Sequence, residues 1–151
     1  MKIKKLAISI AIPVISGFIV GLISSSYTNY TELNLPSFAP PSILFPIVWT
    51  ILYTLMGISA YLVDDTKSYN KRKALSIYKI QLVINLLWSI IFFVFNLKTL
   101  AFIWIILLII AVVSMIRNFY NISKFAGLLQ IPYLLWLIFA SILNLSILFL
   151  N

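Results

Sequence analysis

Residues 35–60 read LPSFAPPSILFPIVWTILYTLMGISA, and the two halves of this stretch demand different structures. The first half carries Pro36, Pro40 and Pro41 around Phe38. Proline fixes φ and has no backbone N–H, so this piece is a stiff loop that cannot simply extend a helix backwards. The second half is an apolar run of the length a helix needs, about 20 residues, to cross ~30 Å of hydrocarbon. Within it Trp49 and Tyr53 stand one turn apart on one face. A rigid aromatic lip joined to an aromatic helix face suits the entrance and wall of a site for a flat ligand.

The surrounding chain is of the same kind. Of its 151 residues 63% are hydrophobic and only 9% charged, whereas a soluble domain carries roughly a quarter charged residues. Apolar segments long enough to span lie near 6–26, 42–63, 75–95, 100–119 and 125–150. These runs are apolar on both parities, unlike barrel strands, which alternate in polarity over ~10 residues. The predicted fold is therefore an all-α integral membrane protein, a bundle of five transmembrane helices, with no linker, repeat or low-complexity stretch dividing residues 1–151 into more than one domain. The fifth segment carries Pro132 and is expected to tilt or kink. The basic start followed by an apolar run is similar to a signal peptide. Pro13 interrupts that run, however, the run exceeds a usual h-region, and no convincing cleavage site follows, so it is read as a retained first helix.

Charge and residue usage exclude several classes. The net charge is +8, but the basic residues sit between apolar runs and form no stripe for nucleic acid. Neither Cys nor His occurs, which removes thiol chemistry, imidazole acid/base work, and His or Cys ligation of a metal. No metal site and no resident cofactor are expected. Glu32, Asp64 and Asp65 all lie outside the apolar segments, whereas pumps usually keep an ionisable group within a span. Ten of the eleven basic residues fall on one side of the bundle and only Lys98 on the other. By the positive-inside rule this puts the N-terminus inside and loop 27–41 and the C-terminus outside, with the cell membrane as the expected location.

Three helix faces stand out. Trp49, Tyr53, Met56 and Ala60 share one face of the second helix, and Gln81, Asn85, Trp88 and Phe92 share one of the third. Pro132, Trp136, Ala140 and Asn144 do so on the fifth, with Tyr133 beside them. An amide in hydrocarbon needs a partner, so Gln81, Asn85 and Asn144 should face the bundle interior. The plain alternative is that they bond neighbouring helices for ~0.6–2 kcal/mol each. The sharper one is that Asn85 lines a cavity with Trp49 and Trp136. Tyr27, Tyr30, Tyr69 and Tyr120 fit an interfacial belt. Trp104 has no polar neighbour in sequence and reads as a packing or lipid-facing residue. Gly17 and Gly21 form a small-xxx-small pair, for packing within the bundle or for a dimer contact. The loose cholesterol pattern from Val63 to Lys71 lies in a polar loop and is discounted.

Together these stretches resemble one family. They are residues 35–41, Val48-Trp49-Thr50-Ile51-Leu52-Tyr53-Thr54-Leu55-Met56-Gly57, Gln81 with Asn85-Leu86-Leu87-Trp88, and the run from Pro132-Tyr133 to Asn144. In this order and register the chain resembles the tryptophan-rich sensory protein/translocator protein family, also called peripheral-type benzodiazepine receptors. The resemblance implies a five-helix bundle, commonly a homodimer, with a pocket open towards the loop after the first helix. It implies ligands such as protoporphyrin IX and synthetic benzodiazepine-site compounds. Carried over by position, the ligand-binding residues are Trp49, Tyr53, Asn85, Trp88, Tyr133, Trp136, Phe139 and Ala140, under a lid containing Phe38. Indole and phenol faces stack on a macrocycle, and an amide can orient a carbonyl.

Two departures bear on function. The family often has Trp where this chain has Phe38, and that Trp is implicated in light-dependent porphyrin breakdown. Phe keeps a stacking surface without the easily oxidised indole, which favours binding over catalysis. Residues 145–151 lack the Tyr followed by Lys or Arg of the animal members' cholesterol segment, so sterol transport is not carried over. The leading expectation is a membrane binding protein or sensor for tetrapyrroles or other flat hydrophobic molecules. The alternatives are a porphyrin photo-oxidase, with Trp49 or Trp136 as the redox-active aromatic, and a transporter of hydrophobic metabolites.

Overall fold

The computed structural model describes residues 2–151. Its elements are α1 (Ile3–Ser25), a single 3₁₀ turn at Tyr30–Glu32, α2 (Leu44–Asp64), α3 (Lys71–Ser89), α4 (Lys98–Ile122), α5 (Lys124–Leu128) and α6 (Ile131–Leu150). One wide π turn, Ile90–Val94, extends α3 without a break. Five of the resulting segments are long and apolar enough to cross a membrane: Ile3–Ser25, Leu44–Asp64, Lys71–Val94, Lys98–Ile122 and Lys124–Leu150. The chain is an all-α integral membrane protein, as the apolar runs predict. Their direction alternates, so α1, α3 and α6 run parallel, with the N-terminal lysines at one end and residues 26–43 at the other.

The helices start and stop for local reasons. The third span begins at Lys71, four residues before the apolar run that starts near residue 75. Lys71 Nζ donates to the Asp64 carbonyl at 2.9 Å and to the Thr66 carbonyl at 3.1 Å, which satisfies orphan acceptors at the end of α2. Asn96 takes a φ of 56° between the π turn and α4, a conformation that Asn tolerates better than most residues. Pro132 does more than tilt the fifth span. It lacks an N–H and sits in the first turn of α6, so the helix ends at Leu128 and restarts at Ile131. The expected kink is a break. Ser123 caps α5 by accepting from the Ala126 N–H at 3.4 Å, and Gly127 lies so close to Tyr120 that a Cβ would meet its backbone.

Packing is tight at the lysine end and looser at the loop end. Pro13 leaves the Ser9 carbonyl without its usual helical donor, and that carbonyl faces Gly57, where an added Cβ would stand 2.6 Å from it. Ser9 Oγ donates to the Gly57 carbonyl at 2.7 Å. The Lys2 N–H donates to Tyr61 Oη at 3.0 Å, and Lys5 pairs with Asp64 at 3.1 Å. Backbones this close give dispersion and polar contacts, the forces available where lipid is as apolar as the side chains. Beyond α1, the core gathers Met56, Val63, Ile105, Leu108, Met115 and Leu137 from α2, α4 and α6.

Candidate functional site

In the loop-end half the same helices separate around a cavity of about 760 Å³. It falls within the ~300–1,000 Å³ of small-molecule sites. Its walls come from α1, α2, α3 with its π turn, and α6, with residues 28–30 and Ser42 of the connecting loop, and none of the lining residues is charged.

Polar side chains at its base are locked together. Tyr53 Oη donates to Asn85 Oδ1 at 2.6 Å, and Asn85 Nδ2 donates to Tyr133 Oη at 2.7 Å. Tyr133 Oη in turn donates to Gln81 Oε1 at 2.8 Å. Gln81 is fully buried, and its Nε2 lies 4.0 Å from Met56 Sδ. A second link joins Trp88 Nε1 to Asn144 Oδ1 at 3.1 Å, while Asn144 Nδ2 donates to the Lys98 carbonyl at 3.3 Å. Gln81, Asn85 and Asn144 thus face the interior and bond neighbouring helices, which is how amides are tolerated in hydrocarbon. Asn85 meets both expectations at once, since it also borders the cavity.

Aromatic rings make the walls. Trp49 stacks on Tyr53 with centroids 5.3 Å apart, and Trp88 on Phe92 at 5.1 Å. Trp136 meets Phe45 edge-on at 5.9 Å. Of the ligand-binding residues expected from sequence, Trp49, Tyr53, Asn85, Trp88, Trp136 and Ala140 border the cavity, as do Phe92 and Asn144 of the stripes. Tyr133 does not. At 1% exposure it is the buried post behind Asn85. Phe139 and Phe38 also stand behind the wall: Phe139 backs Trp136 at 5.3 Å, and Phe38 rests edge-on against Phe139 at 6.3 Å. Phe38 is half exposed, and residues 31–41 do not touch the cavity, so the proline loop is a brace over α6 and not a lip on the cavity.

Several wall residues escaped the stripes. Tyr30, placed with the interfacial belt, instead plugs the loop end. Its ring meets Phe45 at 4.9 Å and its hydroxyl donates to the Pro40 carbonyl at 3.0 Å. Partial burial pushes its phenol pKa above the ordinary tyrosine value. Phe45 was legible as the residue one turn before Trp49. The π turn adds Phe93, which no stripe contained, to the wall beside the stripe residue Phe92, and such turns gather at functional sites. Gly17 packs against the Tyr53 ring within the bundle, while Gly21 borders the cavity with nothing within 4 Å of an added Cβ. Trp104 has a polar partner after all: its Nε1 donates to the Ile84 carbonyl at 2.8 Å.

The described residues contain no cluster of three or more His, Cys, Asp or Glu that could hold a metal ion. What the arrangement offers is a neutral, aromatic, preorganised space for an apolar molecule with flat faces.

A family model described as the TspO/MBR family matches residues 9–150. The chain is similar to the tryptophan-rich protein TspO of Archaeoglobus fulgidus, with 39% identity over 153 residues covering 100% of this chain and 99% of the relative. The protein of the same name from Chlorobaculum tepidum is 41% identical, over 87% of this chain and 89% of its own length. The human translocator protein is 35% identical, over 76% of this chain and 70% of its own length.

Proposed function

This chain belongs to the TspO/MBR family, and we propose that it is a membrane binding protein for flat hydrophobic molecules, tetrapyrroles such as protoporphyrin IX foremost. The observation that carries this reading is the uncharged cavity of about 760 Å³ walled by the Trp49–Tyr53 and Trp88–Phe92 stacks. Aromatic faces favour offset or edge contacts with another π system, worth ~0.5–1.5 kcal/mol per pair beyond area burial. Trp49, Tyr53, Asn85, Trp88, Trp136 and Ala140 would touch the ligand, with Tyr133, Phe139 and Phe38 holding that wall from behind.

Neutral walls also set the ligand's pose. A carboxylate has no cation to pair with inside, so the apolar face of a macrocycle enters the cavity and its acidic edge stays at the hydroxyl-bearing margin near Ser25 and Ser42. We place the lysine end on the cytoplasmic side of the cell membrane, because ten of eleven basic residues gather there.

The test is a titration of purified protein with protoporphyrin IX, read by tryptophan quenching. Saturation near one ligand per chain is expected. If the Trp49→Ala, Asn85→Ala double variant binds with unchanged affinity, the ligand does not sit in this cavity.

A further inference from the structure

The two sides on which the cavity could open are built differently. At the loop end the chain is strapped across. Thr28 Oγ1 donates to the Phe93 carbonyl at 2.6 Å, and Tyr30 Oη holds Pro40. The Asn34 N–H donates to Asn151 Oδ1 at 3.1 Å, while Asn151 Nδ2 returns a bond to the Asn34 carbonyl at 3.0 Å. A side-chain amide here pairs with a peptide group as a second strand would, tying the loop to the end of α6.

Between α1 and α2 the situation is reversed. Their hydrogen bonds, Lys2 to Tyr61 and Ser9 to Gly57, lie at the lysine end. Past the Gly17–Tyr53 contact, no hydrogen bond among the described residues joins the two helices. Seven residues there border the cavity and are also exposed on the outer surface: Phe18, Gly21, Leu22 and Ser25 on the α1 side, and Ser42, Pro46 and Thr50 on the α2 side. Phe18 is 67% exposed although it borders the cavity. Side chains that touch a cavity and the outer surface together mark the edges of an opening. Gly21, with nothing within 4 Å of an added Cβ, keeps the space beside it clear.

The chemistry along this slot is graded. Its deeper edges are apolar, and the Thr50 hydroxyl is turned back onto the Pro46 carbonyl at 2.6 Å. Hydroxyls stand at the loop end, where Ser25 Oγ is turned onto the Leu22 carbonyl at 3.1 Å and Ser42 faces it across the slot. A charged group is costly within hydrocarbon and tolerable at the interface. The slot therefore suits a flat apolar body travelling at membrane depth with its polar edge near the surface. Resting on the proposal that the cavity is a binding site, we infer that its ligand enters and leaves sideways, from the hydrocarbon through the gap between α1 and α2, and not through the proline loop.

The chain has no native cysteine, so a single Ala140→Cys probe reports access to the cavity floor. In lipid nanodiscs, membrane-partitioning pyrenylmaleimide should label it, and an impermeant charged maleimide should not. Filling the slot with Leu22→Trp and Thr50→Trp should slow labelling on the order of tenfold, whereas releasing the loop with Asn34→Ala and Asn151→Ala should change it by less than about twofold. Circular dichroism and melting of each variant exclude unfolding as the cause. Fast labelling by the charged reagent, indifference to slot filling, or acceleration by loop release would each overturn the lateral route. The slot-filled protein should also bind and release protoporphyrin IX more slowly. If the parent binds no porphyrin, the tetrapyrrole proposal falls while the labelling rates still judge the route.

Discussion

The hydrogen-bonded base of the cavity makes a quantitative claim about coupling between residues. Asn85 bonds both Tyr53 and Tyr133, at 2.6 and 2.7 Å, but the two phenols stand in different surroundings. Tyr133 is sealed at 1% exposure, whereas Tyr53 borders the cavity, where water or a ligand can take over its hydroxyl. In a double-mutant cycle of Asn85→Ala with Tyr133→Phe, the orphaning of Gln81 Oε1 occurs with and without Asn85 and so cancels. What remains is the Asn85–Tyr133 bond. Interhelical bonds in membranes average about 0.6 kcal/mol and reach about 1.7, and a sealed amide–phenol pair belongs at the upper end. We expect a coupling of about 1.5 kcal/mol for Asn85 with Tyr133, and about 0.5 kcal/mol for Asn85 with Tyr53. Reversible unfolding in mixed detergent micelles measures both cycles. Equal couplings, or a larger one for Tyr53, would refute the view that the cavity rim substitutes for Asn85 while the buried post cannot.

Other outcomes follow from single contacts. Gly57→Ala puts a methyl group onto the backbone of Ser9 and Ile10, neither of which can rotate away, and should destabilise the protein by about 1–3 kcal/mol. Gly21→Ala, facing open space, should stay within about 0.5 kcal/mol of the parent in the same unfolding assay. Trp88→Phe retains a ring against Phe92 but strands Asn144 Oδ1, at about 1 kcal/mol, and a melting temperature equal to the parent's would show that the bond contributes nothing. Phe38→Trp changes a residue that touches Phe139 and not the cavity, so porphyrin affinity should move by less than about twofold, or ~0.4 kcal/mol. A tenfold change would bring the loop into the site. No wall residue is charged, so the affinity for an esterified, non-ionising porphyrin should be flat from about pH 6 to about pH 8, as fluorescence titrations at each pH would record.

Much of this architecture was legible because the bilayer allows so few solutions. A membrane span must be a long apolar run, and an amide within it must find a partner, so the five helices and the inward placement of Gln81, Asn85 and Asn144 could be read from spacing. The aromatic stripe of α2 pointed to Trp49 and Tyr53 for the same reason. Features that depend on a path through space were hidden. The proline loop is stiff, as its composition requires, but stiffness does not say which way it leans, and it leans on Phe139. Tyr30 looked like any interfacial tyrosine, and only the position of Phe45 makes it a plug. Trp104 finds its acceptor on a backbone carbonyl of another helix, which no residue type advertises. The π turn at Ile90–Val94 is a slip in backbone pairing with no side-chain signature.

The hydrogen-bonded chain of Tyr53, Asn85 and Tyr133 has a consequence for selectivity. Groups within that chain already answer one another, and the wall leaves a guest only the unpaired Trp136 Nε1 and Ser24 Oγ to satisfy, so discrimination falls mainly to thickness and outline. Such a chamber sorts molecules as a letterbox does, by whether they are flat enough. Free-base and metallated macrocycles of the same outline should then compete on nearly equal terms, and a bulky substituent standing off the ring plane should exclude a molecule that hydrogen-bonding inventory alone would admit. Competition titrations with planar and ruffled porphyrins of matched polarity would separate these two kinds of recognition.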